Sequence, residues 1–296
     1  RGLRLLGLQQ IDYLVPNRFS FGYGLSEELV DYAITHKKPE VIITVDNGIS
    51  SVAGVAKAKQ AGIKVLITDH HLPGNELPQA DAIVNPNQPG CPFKSKNLAG
   101  CGVIFYILLA FRAKLREAQW FQQQGQTEPN LGCLLDIVAL GTVADLVPLD
   151  HNNRIIVQQG INRIRSGQAC AGIMALLTVA KRSLTHLSAS TLAFAVAPRL
   201  NAAGRLDDMS LGIECLLTDD KFVARDIAER LDRLNQERKQ IESQMQSEAL
   251  DYLAQFKSED TDRYGVCLYD ASWHQGVIGI IAARVKERVY RPVICM

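Results

Sequence analysis

The chain lacks most features that would announce a compartment or a chemistry. No uninterrupted apolar run approaches the roughly 20 residues a membrane-spanning helix needs. Arg1–Gln10 is basic but has no apolar h-region with a cleavage site, so it does not read as a secretory signal. The seven cysteines are odd in number and scattered, with no CxxC pair. That excludes a disulfide framework and a zinc knuckle, and a reducing, cytoplasmic setting is the expectation. HExxH, Walker A, GxGxxG and GxSxG patterns are all missing, so zinc peptidases, nucleotide-loop enzymes and hydrolase elbows drop out. The formal net charge is only +1, which gives no global pull towards nucleic acid but leaves a local basic groove open.

What is present is an ordinary globular composition. At 296 residues, 47% of them hydrophobic, the chain can build one large domain or two. Its first residues read as the last turns of a helix and RPVICM reads as a buried strand, so the expectation is a piece cut at both ends.

The informative stretch is 41–71. Two apolar runs, Val41–Val45 and Val65–Thr68, end abruptly in Asp46-Asn47-Gly48 and Asp69-His70-His71, and Ser50–Ala61 between them has helical spacing. That predicts a β-α-β unit with a parallel crossover. Ligands of parallel sheets bind at the carboxyl ends of the strands, so Asp46, Asp69, His70 and His71 should gather at one rim. Asp46 taken alone reads as readily as a helix cap or turn former as it does a ligand. Two adjacent histidines after an aspartate favour a metal site, because imidazole with carboxylate suits Mn, Fe or Zn. Asp145, among apolar residues in GTVADLVPL, either caps a helix or binds a cation, since an unpaired buried carboxylate is costly.

Around this unit the pattern predicts a strand at 11–15 and a helix opening at Ser26. Further helices follow at 98–117, 131–140, 152–165 and 170–181, with a short strand at Ala82–Val84 leading into Asn85-Pro86-Asn87. The longest helical pattern, 219–257, has no proline or glycine and alternates in charge, as on a solvated helix that bridges domains. A strand at 264–269, a helix at 277–289 and a strand at 292–295 close the chain. Pro198-Arg199-Leu200-Asn201-Ala202-Ala203-Gly204-Arg205 joins small residues to two arginines that could fork a phosphate or pack on the surface. Arg18 is ambiguous in the same way, and Trp273 in WHQG reads either as a base-stacking residue or, more commonly, as core.

VDNGIS, TDHHLPG, NPN and GTVADLVPL, in this order, resemble motifs II to IV of the DHH phosphoesterase superfamily. PRLNAAGRLDDM, the long helix and WHQGVIGIIAARVKER extend the likeness over essentially the whole chain, towards the branch that degrades single-stranded DNA from its 5′ end. The resemblance implies an α/β fold: a parallel-sheet DHH catalytic domain with helical additions over 1–218, a linking helix at 219–257 and the start of a DHH-associated domain at 258–296. It implies a metal-dependent exonuclease that releases 5′-mononucleotides in DNA recombination and repair with two Mn²⁺ or Mg²⁺ ions. Asp46 would bridge the cations, and His70 and Asp145 would ligate them. Asp69 and His71 would be ligands or would support ligands, with His71 near the scissile phosphate. Arg18, Arg199, Asn201 and Arg205 would hold DNA phosphates, Arg18 near the 5′ end. Single-stranded DNA is the expected partner, with a single-strand-binding protein and a repair helicase as further ones and no membrane.

One family element departs. Motif I, a strand ending in paired aspartates, is not found and would precede Arg1, so this piece is expected to hold a half-built site with little activity. Two other classes stay open: a phosphodiesterase for short oligoribonucleotides or cyclic dinucleotides, and a non-catalytic binding module.

Overall fold

A computed structural model describes residues 1–15, 21–255 and 264–296. Strands β1 (Val41–Val45), β2 (Lys64–Thr68) and β3 (Ala82–Val84) form a parallel sheet in the order β1-β2-β3. Register runs from Val41 opposite Lys64 to Val45 opposite Thr68, and Thr68 lies opposite Val84. All three strands therefore finish on the same edge, which puts VDNG, DHH and NPN side by side.

Local chemistry sets the ends of the elements. Helix α1 (Glu27–His36) starts at Ser26, whose hydroxyl accepts from the Leu29 N–H at 3.2 Å, and Glu27 and Glu28 face the positive end of its dipole. Helix α2 (Val52–Gln60) is the crossover between β1 and β2. Leu29, Val30, Val55 and Ala58 of these helices bury against Val65 and Ile67 of β2. Each leucine or valine side chain so removed from water contributes roughly 1.5–3 kcal/mol.

Helix α3 (Gly100–Glu117) packs against β1 and β2. Helices α4 (Leu135–Ala144) and α5 (His151–Arg165) follow, the latter capped by the Asp150 carboxylate on the Asn153 N–H. With α6 (Ala171–Val179) they enclose a second apolar core containing Leu140, Val157, Ile164, Ile173 and Leu176. A π-helical turn, Leu192–Val196, runs into α7 (Ala197–Leu206). Pro198 has no N–H to give back to the preceding turn, and the widened turn absorbs this without ending the helix.

After α8 (Ser210–Leu217), helix α9 (Lys221–Gln255) runs 35 residues, about 52 Å at 1.5 Å per residue. Ala224, Ala228 and Leu231 near its start belong to clusters around α4–α7 or lie buried beside them. Met245 and Ala249 further along bury against Trp273, Ile281 and Val285. That last cluster joins α10 (Ile278–Val289) to a two-stranded parallel sheet, β4 (Val266–Leu268) with β5 (Val293–Cys295). Trp273 is core, its indole N–H donating to Glu248.

The expected strand at 11–15 is not formed. Among the described residues no strand pairs with it, and Asp12 instead accepts from its neighbour's N–H and from Lys37. Apolar content without a ladder partner does not make a strand. Strand β5 is not fully buried either: Cys295 is enclosed but Ile294 is exposed. Among the described residues no helix is long and apolar enough to cross a membrane.

Candidate metal centre

The turn after β1 is wound tightly. Asp46 has φ +68° and Gly48 φ +107°, both left-handed, a conformation that Asp tolerates and Gly adopts freely. The Asp46 N–H donates to Thr68 O at 3.0 Å, and the Thr44 hydroxyl donates to Asn47 O at 2.7 Å. A Cβ on residue 48 would lie 2.6 Å from the Thr44 hydroxyl oxygen, so only glycine fits. The left-handed kink turns the Asp46 carboxylate back over the strand ends.

Gly100, the first residue of α3, touches Asp46 from the other side. A Cβ there would lie 2.5 Å from Asp46 Cβ and 2.6 Å from its Oδ1. Cys101, next in line, is half-buried, set against Val138 O and Thr142, and loss of solvent around its thiol pushes it up to about 11.

Asp69 directly follows β2 and is only 1% exposed. Its Oδ2 accepts the Ile49 N–H at 3.0 Å. Its Oδ1 accepts the His70 N–H at 2.7 Å, the His71 N–H at 3.2 Å and, within 2.7 Å, the His71 ring Nδ1. Burial would raise its pKa, but these donors outweigh it and hold the carboxyl below its ordinary value. With its lone pairs spent, Asp69 is an organiser: it locks the turn after β1 to the two histidines and commits Nδ1 of His71, leaving Nε2 as that ring's available nitrogen.

His70 is different. Its Nε2 is shut off from solvent, 2.9 Å from Asp46 Oδ1 and 3.4 Å from Asp145 Oδ2, yet it has hydrogen-bond geometry with neither. The adjoining Asp46 carboxylate raises the imidazole's pKa, against the opposing effect of burial, and the charge of Asp145 adds to the rise. Asp145, just past α4, has its own carboxyl raised, first by burial and then by the charge of Asp46, with His70 opposing. Two acids crowd one imidazole whose nitrogen is buried and unbonded. Ligand atoms of Asp46, His70 and His71 all lie within 4.8 Å of one another. The donor set fits a divalent cation: carboxylates with imidazole suit Mn²⁺, and carboxylates alone would also accept Mg²⁺.

The NPN loop holds the histidines from behind. Asn85, 2% exposed, donates to His71 O at 2.9 Å and accepts from the Asn87 N–H. Asn87 donates to His70 O at 2.6 Å, and Lys96 ties down Pro86 O and Cys91 O. We expect Asn85→Ala to leave His71 O unpaired, lower stability by about 1–3 kcal/mol and weaken Mn²⁺ binding about 10-fold. Thermal melts and calorimetric titration with Mn²⁺ check this. A lower Tm with unchanged Mn²⁺ affinity would mean that the loop packs without steering the histidines.

Asp46, Asp69, His70 and His71 are thus brought together, as the order of the strands predicts, and Asp145 joins them from the end of α4. The arginine segment is arranged otherwise. The Arg199 guanidinium donates to Asp232 of α9 at 2.7 Å and to Ala195 O, so its hydrogen bonds join helices. Arg205 donates to Gly276 O at 2.9 Å, tying α7 to the WHQG segment. Asn201 is exposed on α7. Arg18 lies outside the described residues. Sequence reasoning passed over Gly100 and the roles of Asn85 and Asn87; the glycine beginning a helix and the paired asparagines around a proline were the available signals. A cavity of about 800 Å³ lined by Arg4, Asp136, Arg163 and Lys221 contains none of the centre's residues, and donor chemistry identifies the site better than volume does.

The likeness to known proteins agrees with this geometry. The model of the "DHH family, N-terminal domain" matches residues 2–142. The single-stranded-DNA-specific exonuclease RecJ of Escherichia coli K12 is 57% identical over 293 residues, covering 99% of this chain and 51% of the relative. Its counterpart in Bacillus subtilis 168 is 37% identical over 287 residues, covering 97% of this chain and 34% of the relative. A crystal structure of exonuclease RecJ bound to manganese superposes with a TM-score of 0.83 at 32% identity, covering 100% of this chain and 70% of that one. RecJ of Thermus thermophilus in complex with Mn²⁺ gives a TM-score of 0.79 at 30% identity, covering 100% of this chain and 40% of that one. The chain spans about half the length of the curated relatives it matches at more than 50% identity. Sequence, fold and the arrangement of strand-end acids and histidines agree: the chain belongs to the RecJ family, with a DHH N-terminal domain.

Proposed function

We propose that this chain carries the metal-binding core of an exonuclease that degrades single-stranded DNA from the 5′ end to 5′-mononucleotides, in recombination and repair. The observation that carries the reading is the buried, unbonded Nε2 of His70 between the carboxylates of Asp46 and Asp145. In this reading Asp46, His70 and Asp145 hold divalent cations, Mn²⁺ or Mg²⁺. Two such ions, when bound, make a water nucleophilic and stabilise charge on the phosphate and leaving oxygen. Asp69 fixes the tautomer of His71, so that His71 holds or gives a proton at Nε2 beside the phosphate. Asn201 and Arg205 are assigned to DNA phosphates, contacts that position a strand without reading its bases. Arg199, engaged with Asp232, is assigned to holding α7 on α9.

On this reading residues 1–218 form the catalytic unit, 219–257 link it, and 258–296 begin the DHH-associated unit that closes over the strand. A cytoplasmic setting, and partnership with a single-strand-binding protein and a repair helicase, follow from the same substrate.

The test is an Mn²⁺-dependent assay of the complete gene product on a 5′-phosphorylated single strand, a duplex, a linear diribonucleotide and a cyclic dinucleotide. The expected result is release of mononucleotides from the single strand, at least ~10-fold faster than hydrolysis of the others. Preferential cleavage of either dinucleotide would replace the exonuclease reading, and no hydrolysis of any would reduce the chain to a binding module.

A further inference from the structure

Asn153, near the start of α5, is fully buried, and its amide spans two stretches of backbone that lead to the centre. Its Nδ2 donates to Asn97 O at 2.7 Å and to Pro148 O at 2.9 Å. Both partners are carbonyl oxygens, which only accept, so the amide nitrogen must face them. Its Oδ1 then finds no donor among the described residues. A buried acceptor left unpaired is costly, and the two bonds from the nitrogen must offset that cost. Each bonded carbonyl lies three residues from the centre: Asn97 precedes Gly100, which abuts Asp46, and Pro148 follows Asp145. The turn from Asp145 to Pro148 is irregular, with Leu146 left-handed at φ +57°, a conformation unfavourable for leucine. Pro148 O also accepts the Asp150 N–H at 3.0 Å, and the Ser95 hydroxyl donates to the Asp150 carboxylate at 2.6 Å. Asn87, which holds His70 O, reaches Lys96 O at 3.2 Å. Residues 95–100 are therefore fastened to the histidine turn on one side and to the Asp145 turn on the other.

We propose that Asn153 is a positioning residue for the cation site: with Ser95 it fixes the separation of Asp46 and Asp145 across His70. This rests on the reading of Asp46, His70 and Asp145 as ligands given above. The two carboxylates come from parts of the chain far apart in sequence, one after β1 and the other after α4. Like charges around one site repel until a cation lies between them. A buried bridge between the segments that carry them holds the pair against this repulsion. Being neutral, the amide adds no charge to compete with the ligands for the cation. Among uncharged side chains only an amide carries two N–H donors on one atom, so neither a hydroxyl nor an apolar group could join both carbonyls in the same way.

The test compares Asn153→Ala and Ser95→Ala in the complete gene product with Leu176→Ala, a truncation in the apolar core around α6. Affinity for Mn²⁺ is measured by calorimetric titration with MnCl₂ well below each variant's Tm. Nucleotide release from a 5′-phosphorylated single strand gives kcat and KM. Asn153→Ala is expected to weaken Mn²⁺ binding about 10-fold and to lower kcat about 10²-fold, with KM within about 2-fold of the wild type. Ser95→Ala, which removes one strut and leaves Asn153 in place, should weaken Mn²⁺ binding about 3-fold. Leu176→Ala should lower Tm at least as far as either, with Mn²⁺ affinity and kcat within about 2-fold of the wild type. Mn²⁺ binding by Asn153→Ala no weaker than by the core variant would show that Asn153 only fastens α5, and overturns the proposal whatever Tm and kcat do. Should Asn153→Ala fail to fold, Ser95→Ala decides by the same comparison: weakened Mn²⁺ binding upholds the bridge and unweakened binding overturns it. A wild type that binds Mn²⁺ but releases no nucleotides overturns the exonuclease reading alone, and the Mn²⁺ affinities still decide the bridge. One that binds no Mn²⁺ overturns both.

Discussion

In the complete gene product, Asp46→Asn is expected to abolish the proposed Mn²⁺-dependent mononucleotide release, by at least ~10³-fold, because several kcal/mol of charge stabilisation at the phosphate would be lost with one ligand. Asparagine is the informative substitution. It keeps the shape of the side chain and tolerates the left-handed backbone at φ +68°, whereas alanine would add about 1–2 kcal/mol of backbone strain at the same position. The protein should fold as before. Removing the Asp46 charge loses its ion pair with His70 but relieves its repulsion with Asp145, so the metal-free Tm is expected to change little. The second readout is ligand stabilisation. Mn²⁺ at 100 times its Kd should stabilise the wild type by about 2.7 kcal/mol and the variant far less. Near-normal nucleotide release from the variant, with Mn²⁺ stabilisation intact, would end the assignment of Asp46 as a ligand.

Gly100→Ala is expected to cost nearly as much, although residue 100 has no side chain and carries no charge. Its backbone is ordinary helix, so alanine has no conformational penalty there; where space permits, such an exchange stabilises by about 0.4–1 kcal/mol. Here the added methyl would sit 2.5–2.7 Å from the Cβ, Oδ1 and Cα of Asp46. Either α3 moves away from the sheet or the Asp46 turn shifts. Overpacking of this kind destabilises by about 1–3 kcal/mol, and a 1 Å misplacement of a catalytic group costs about 10²-fold in rate. The sign of the Tm change decides the matter. A rise, with full activity, would mean that the close approach of α3 to Asp46 is incidental; a fall, with weakened Mn²⁺ binding, is the expected result.

These two residues also mark the limit of what the sequence discloses. Asp46 was readable because its signal is local: five strand-type residues end in an acid at the one edge of a parallel sheet where ligands collect. The same holds for Asp69, His70 and His71, and for helix starts such as Ser26. Gly100 offered only a faint local signal, a glycine beginning a helix, because its meaning lies in a contact with a residue 54 positions earlier. Arg199 was ambiguous for the same reason: its partner Asp232 is 33 residues away, and nothing local separates a phosphate-binding arginine from one that joins two helices. The segment 11–15 has strand composition but no neighbour to pair with, and pairing, not composition, makes a strand. Trp273 went to the commoner use of a lone tryptophan, a core position with its N–H satisfied.

The four donors gathered on Asp69 have a consequence for how such a centre is supplied with metal. Hydrogen bonds within the protein, with those of Asn85 and Asn87, hold the histidine backbone and the His71 ring. Loading therefore needs no refolding, unlike small zinc domains whose shape depends on their ion. Chelation should silence the protein without loosening it. Reloading should then be limited by delivery of the ion and loss of its hydration water.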